Sequence, residues 1–493
     1  MTWTDITADT IAEDGLTIDY GFDGTGPLSV LAGTGVCTFT LQNWNPTGKY
    51  SPGHASCTAG WALGVWIRVV FVPETGPDLV KFIGKVQFLD IEAGAYGRKR
   101  VAVIAHDAMG DLTRATVRNI TAQVNQTDVA LLQAVYAAVP ATSLPVATSF
   151  DTAIDTYPYA FGDVSAGQSA AKLLQDVLIS AMGLLVQHGD GTHVYINRHA
   201  RTYTASVATL TVDDLLAPDG FEHPHDLMRL YNRVIVTIPQ IEIGSSVEVL
   251  AAETTTDSEG LAASETRELF LSYRDPLHTA ASTVPIGGTD FETPVAGTDY
   301  VFNGAADGSG VDYTASVVVS ATFWAGSVMF SITNNAPVRV YRITLQVRGI
   351  AIRRLTPIEV ESTSTQAWGQ RTLTIETPFQ DSRTVARYMA NYLRGQYEVS
   401  TNRPISITIK PQDSDRLMRH ALMREPGDRI TLSESVTATA CDAIIYAVHL
   451  TVSAGGWIAC SWDLAPQSAF MFISPFRWGM VGSAEWGEST VWA

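Results

Sequence analysis

Lysine and arginine are missing from the first 48 positions, where six acids stand (Asp5, Asp9, Glu13, Asp14, Asp19 and Asp23). They are missing again from Asp275 to Val338, which holds six more acids. Over the whole chain acids outnumber bases 50 to 32, a formal net charge of −18. A protein that grips nucleic-acid phosphates needs a concentrated basic footprint, so DNA affinity is not expected. The acid-only stretches read either as solvated loops that keep the protein soluble or as a surface that repels polyanions.

Cysteine is scarce too: Cys37, Cys57, Cys441 and Cys460 are too few and too scattered for a disulfide framework, and reduced thiols are expected. No apolar run approaches the roughly 18 residues of a membrane helix. The opening MTWTDITADT has no basic segment followed by an apolar one, so no secretory signal is expected and folding in a cytosol is. Catalytic signatures are missing as well. There is no His-Glu-x-x-His, no Gly-x-Ser-x-Gly and no Gly-x-x-x-x-Gly-Lys-Ser/Thr. The glycine-rich GTGPLSVLAGTG has neither a following lysine nor an evident helix and reads as a pair of turns. No catalytic residue, cofactor or metal is assigned, and an enzyme is not expected.

What the chain does have is apolar material, 46% of its 493 residues, and 39 glycines, enough for several folded units at about 100–200 residues each. Up to about residue 118 the apolar residues alternate: Leu16, Ile18 and Tyr20; Cys37, Phe39 and Leu41; Val65, Ile67, Val69 and Phe71; Phe82, Val86 and Phe88. Short strands of this kind with turns between them suggest a small barrel or sandwich.

The period then changes. Ala170, Leu173, Leu174, Val177, Leu178 and Ala181 form one helical stripe, and GLLVQH and THVYIN flank Gly189-Asp190-Gly191, a hairpin signal of type I′. Residues 119–205 therefore read as a small α+β module. Residues 206–255 and the stretch after 356 read as a further sheet, interrupted over 256–355 by an inserted β-sandwich. In 356–466 a helix with the stripe Val385, Tyr388, Met389, Tyr392 and Leu393 is followed by strands and a long hairpin, a second barrel-like unit mirroring the first.

Some residues invite chemical readings. His188 with His193, or His223 and His225 with Asp226, could ligate a metal, but no cysteine or carboxylate stands at a recognised spacing and structural roles are favoured. Asp307, Ser309 and Asp312 resemble part of a calcium loop that lacks its bidentate glutamate, so an aspartate-capped glycine turn is favoured. Trp44, Trp61 and Trp66 could line a sugar site, although aromatic residues on strands are more often core or interface. The loop running from Asn43 through Lys49, Tyr50 and Pro52 to His54 could bind, catalyse or make an assembly contact. The terminal 467–493 carries Phe470, Phe472, Phe476, Trp478, Trp486 and Trp492 without a regular period, and it reads as an arm that docks on a neighbouring chain or partner.

The order of DGLTIDYGFDGTGPLSVLAGTGVCTFTLQNWNPTGKYSPGH, a strand pair around FIGKVQFLDIEAG and then YGRKRVAVIAHDAMGDL resembles the N-terminal barrel of phage tail hub proteins, the tail-tip or baseplate proteins of long-tailed bacteriophages. WGQRTLTIETPF, a helix, ISITIKP, EPGDRITL and the terminal hairpin resemble the second hub barrel. The segment about 255–354 lies outside the resemblance.

The resemblance implies a mainly β fold with α+β modules, in which two tube-like β-barrels bracket the module and the inserted sandwich. It implies a homotrimeric ring at the virion tail tip, synthesised in the host bacterial cytoplasm. Its partners would be a distal tail ring protein, the tape-measure protein and a central fibre or spike, with DNA passing through unbound. Asn43, Lys49, Tyr50 and Pro52 would then make an assembly contact together with Phe476, Trp478, Trp486 and Trp492, while Asp5, Asp9, Asp19 and Asp23 would line the lumen. A receptor- or carbohydrate-binding tail protein and a cell-wall hydrolase are the alternative readings.

Overall fold

In a computed structural model, the structure describes residues 3–73, 76–93, 99–162, 167–216, 220–253, 259–273, 285–399 and 404–467. The chain is mainly β, 46% strand against 19% helix. Strands β1 (Leu16–Gly21), β2 (Val36–Gln42), β3 (Trp66–Phe71), β4 (Leu79–Ile91) and β5 (Arg100–His106) come first. The module follows, with α1 (Ala108–Arg114), β6 (Thr116–Val117), β7 (Gln123–Thr127), α2 (Asp128–Ala138), β8 (Ala147–Phe150), β9 (Thr156–Ala160), β10 (Gln168–Ser169), α3 (Ala170–Ala181), β11 (Leu184–Gln187), β12 (Thr192–Ile196) and α4 (Arg198–Tyr203).

The middle of the chain holds β13 (Ala208–Thr211), β14 (Phe221–Glu222), β15 (Arg233–Glu253), β16 (Thr266–Ser272), β17 (Pro285–Thr289), β18 (Tyr300–Asn303), β19 (Val317–Phe323), β20 (Ser327–Asn334), β21 (Tyr341–Thr363) and β22 (Thr372–Glu376). Last come α5 (Arg383–Tyr397), β23 (Ser406–Ile409), α6 (Asp415–Met423), β24 (Arg429–Glu434), β25 (Thr439–Ser453) and β26 (Trp457–Gln467). Among the described residues, no helix is long and apolar enough to cross a membrane.

The strands expected near both ends form, but they do not stay apart. Strand β1 lies antiparallel between β2 and β25, with Ile18 opposite Cys37 on one side and Leu450 on the other. The result is one sheet of 11 strands with the path β14-β23-β26-β25-β1-β2-β5-β4-β3. Its inward residues from both ends, among them Ile18, Phe39, Val101, Ile407, Leu450 and Trp462, make a single core. Alternation identifies a strand and its buried face; it does not say which strand will be the neighbour.

Helix α3 buries the whole expected stripe, none of its six residues more than 2% exposed. The Ser169 side chain caps the first turn by accepting from the Lys172 N–H. Together with α1, α2 and the β11–β12 hairpin it encloses the second core. The hairpin turn is not type I′. The His188 carbonyl accepts from the Gly191 N–H, and of the three turn residues Gly191 alone has positive φ, which is the three-residue hairpin with glycine at the left-handed position.

The long strands β15 and β21 pair from Arg233 opposite Thr363 out to Glu253 opposite Leu345. At one end α5 packs on this ladder through Ala386, Met389 and Leu393. At the other end the three-stranded sheet β16-β20-β19 covers it, and Leu250 and Ala251 of β15 share a core with Phe302, Phe330 and Leu345. Strand β21 therefore runs unbroken out of the segment expected as an insertion, and the polar stretch 254–258 lies outside the described residues.

Candidate functional site

The loop after β2 is folded onto its own sheet, and does not extend as an arm. Asn43 at the strand end is buried; its Oδ1 accepts from the Tyr50 N–H at 2.7 Å and its Nδ2 donates to Ser51 at 2.8 Å. Tyr50 is fully buried against Trp61, ring to ring at 5.1 Å, and its hydroxyl donates to Asp9 Oδ2 at 2.5 Å. Lys49 donates to the same oxygen at 2.6 Å. Burial works against ionisation of Asp9, but the hydrogen bonds from Lys49, Tyr50 and Gln42 outweigh it and hold the carboxyl below its ordinary value. Pro52 and its neighbours to Ser56 are exposed, as is Trp44, so the outward part of the loop is the tip beyond Ser51 and the turn at Trp44.

The four acids expected at a lumen take different positions. Asp5 and Asp23 are exposed, Asp9 is tied to Lys49, and Asp19 lies on the outward face of β1. There Asp19 Oδ1 meets His449 Nδ1 at 2.8 Å, and the other ring nitrogen reaches Asp463 at 3.4 Å. Three adjacent strands thus share one imidazolium. The hydrogen bonds to Asp19 and Asp463 raise its pKa to about 9. Beside it the Thr17 and Thr38 hydroxyls are 2.5 Å apart, so this face of the joined sheet is short-chained and polar.

Sequence reasoning missed the clasp between the two halves of the chain. Lys81 on β4 is 1% exposed; its Nζ donates to Glu425 Oε1 at 2.6 Å and to the Arg424 carbonyl at 3.0 Å. Glu425 Oε2 accepts from the Tyr20 hydroxyl at 2.8 Å and from the Gly189 N–H at 3.1 Å. His188 contacts the Pro426 carbonyl at 3.2 Å. The turn Glu425-Pro426-Gly427-Asp428 therefore holds β1, β4 and the β11–β12 hairpin at one point. The signal was a lone lysine inside the apolar run Leu79-Val80-Lys81-Phe82-Ile83, because a buried ammonium needs a carboxylate.

The residues suggested for metal or sugar chemistry have local partners. His193 is fully buried between Tyr136 at 2.6 Å and Gln187 Oε1 at 3.0 Å. Since that amide oxygen can only accept, His193 Nε2 carries the proton and Nδ1 accepts from the tyrosine. Burial lowers its pKa to about 3. His223 and His225 pack ring to ring at 4.9 Å. Asp307 Oδ1 accepts from the N–H and the hydroxyl of Ser309, and Asp312 accepts from the Thr314 N–H, which are capped turns. Trp61 is buried under Tyr50, Trp66 lies under Lys85 at 4.7 Å and Trp44 is exposed, so the three do not form one platform. All four cysteines are free. Phe476, Trp478, Trp486 and Trp492 lie outside the described residues.

No protein-family model matches the chain, and no curated protein does. Among solved structures it is similar to the 43 kDa tail protein of prophage MuSo2 from Shewanella oneidensis, at 10% identity over 92% of this chain and 94% of that one, with a TM-score of 0.46. It is similar to the tail protein from Neisseria meningitidis MC58, at 10% identity over 92% and 91% of the two chains and a TM-score of 0.43. The third is prophage tail protein gp18 from Listeria monocytogenes EGD-e, at 9% identity over 94% and 92% and a TM-score of 0.40.

Proposed function

We propose that this chain is a structural protein of a phage tail, a hub that forms a homotrimeric ring at the distal end of the tail tube. In this reading it joins the tube to the central fibre or spike, contacts a distal tail ring protein and the tape-measure protein, and walls part of the DNA exit channel. The observation that carries the reading is the union of β1–β5 with β23–β26, strands from the two stretches that resemble hub barrels, in one sheet over one core, although β22 and α5 of the second stretch join the β15–β21 ladder instead. Each chain then presents two related strand sets in a fixed relation, and three chains present six to a sixfold tube. The polar face around Thr17, Asp19 and His449 suits a wall past which DNA slides, because the one imidazolium is held between two carboxylates, Asp19 and Asp463, which leave the cluster net negative, and the threonine hydroxyls add no charge. Asp5 and Asp23 would add to that wall. Light scattering on the purified protein tests the reading: a particle of three times 53.1 kDa is expected, and a monomer at every concentration overturns it.

A second reading, receptor or glycan binding, is favoured by one observation on the β16-β20-β19 sheet. Phe270 is 57% exposed and stacks on Trp324 at 5.9 Å with the rings 9° apart, an aromatic surface of the kind sugars use. Glycan binding by the full chain that is lost on Phe270→Ala supports it; binding unchanged by that substitution removes it.

A further inference from the structure

The last described residues of β26 bring the chain to a cleft whose narrower lobe is apolar. Its two lobes share Pro27 and Tyr397. One lobe, about 210 Å³, is lined by Met228, Leu230 and Tyr231 together with the ion pair Asp226–Arg229; the narrower one is lined by Leu28, Tyr446 and Ala465. Met228 is 69% exposed and Leu28 40%, an apolar patch of the kind that marks a docking surface. Ala465 stands two residues before the end of the described chain, so the segment that follows starts beside the cleft.

That segment, Ser468-Ala469-Phe470-Met471-Phe472-Ile473, has no charged residue before Arg477 and carries Phe470 and Phe472 near its start. Phe470 is five residues beyond Ala465, within about 17 Å of it at roughly 3.3 Å per residue. We propose that residues 468–474 fold back on their own chain and seat Phe470 and Phe472 in this cleft. Every copy carries the cleft at its own exit point, so an arm crossing to a neighbour would leave one equivalent site for another farther away. The aromatic residues beyond Pro475 remain available for contacts between chains.

Two measurements test this. In full-length protein with Cys57→Ala and Cys441→Ala, Leu28→Cys is combined with Phe472→Cys and oxidised. A 28–472 disulfide within one chain is expected; a link only between chains, or none, overturns the proposal. In otherwise unaltered protein, truncation after Gln467 is expected to speed amide exchange at Met228–Tyr231 and Leu28–Val30 by at least about tenfold, and equal exchange with and without the segment contradicts it.

Discussion

His193 is the residue whose environment reports most directly on stability. Its pKa near 3 lies below the ordinary 6.5, so between those values the unfolded chain binds a proton that the folded chain does not. The stability linked to it is complete above about pH 6.5 and falls toward pH 3 by about 1.4 kcal/mol per pH unit. Urea midpoints between pH 7 and 4.5 are expected to fall less steeply in His193→Gln. His449 has the opposite sign. With its pKa raised to about 9, its contribution is complete below about 6.5 and is lost as pH rises through 9. At 40% side-chain exposure the energetic effect is small, and the measurement is an NMR titration, with a midpoint near 9 that drops in Asp19→Asn. Lys81→Met leaves Glu425 without its cation and is expected to cost about 3 kcal/mol in denaturant unfolding. Single polar residues were the hardest to read in advance: the spacing of Lys81 and Glu425, more than three hundred positions apart, says nothing of their meeting.

At the scale of elements the periodic stretches were readable. The α3 stripe and the alternations of β1 and β2 are local consequences of burying one face, and they form where the pattern puts them; in β4 a register shift between Val86 and Phe88 turns Phe88 outward, 52% exposed, so the expected alternation of Phe82, Val86 and Phe88 fails at its last residue. The pairing of β1 with β25 was not readable, because it depends on backbone partners from distant parts of the chain. Gly21 marks that seam. Its φ is +126°, and a Cβ there would stand 2.2 Å from the Tyr446 carbonyl oxygen. Gly21→Val is expected to destabilise the protein by at least about 3 kcal/mol, read from thermal unfolding, while Gly53→Ala, with open space around it, costs far less. The β15–β21 ladder shows where a deletion should be cut. Its register shifts after Ile243, opposite Ile352, and replacing 244–351 by an Asn-Gly turn should leave the other cores folded and assembly intact. Loss of cooperative unfolding would mean that the module depends on this segment, which it touches where Tyr159 donates to the Ala325 carbonyl.

For the whole molecule, composition spoke against a nucleic-acid grip, and the order of features along the chain pointed to a tail hub. Which acids share a surface became visible only with the fold, since Asp9 is turned to Lys49 while Asp19 faces outward. Asp5→Lys with Asp23→Lys, which leaves the Asp9 network in place, is expected to preserve assembly and create salt-sensitive DNA binding if both face the channel. The most direct test of the central claim is the symmetry of the assembled protein by electron cryo-microscopy. The account predicts a threefold ring around an open channel, with the Thr17–Asp19–His449 face on its wall; a monomer, or an assembly with no channel, would contradict it.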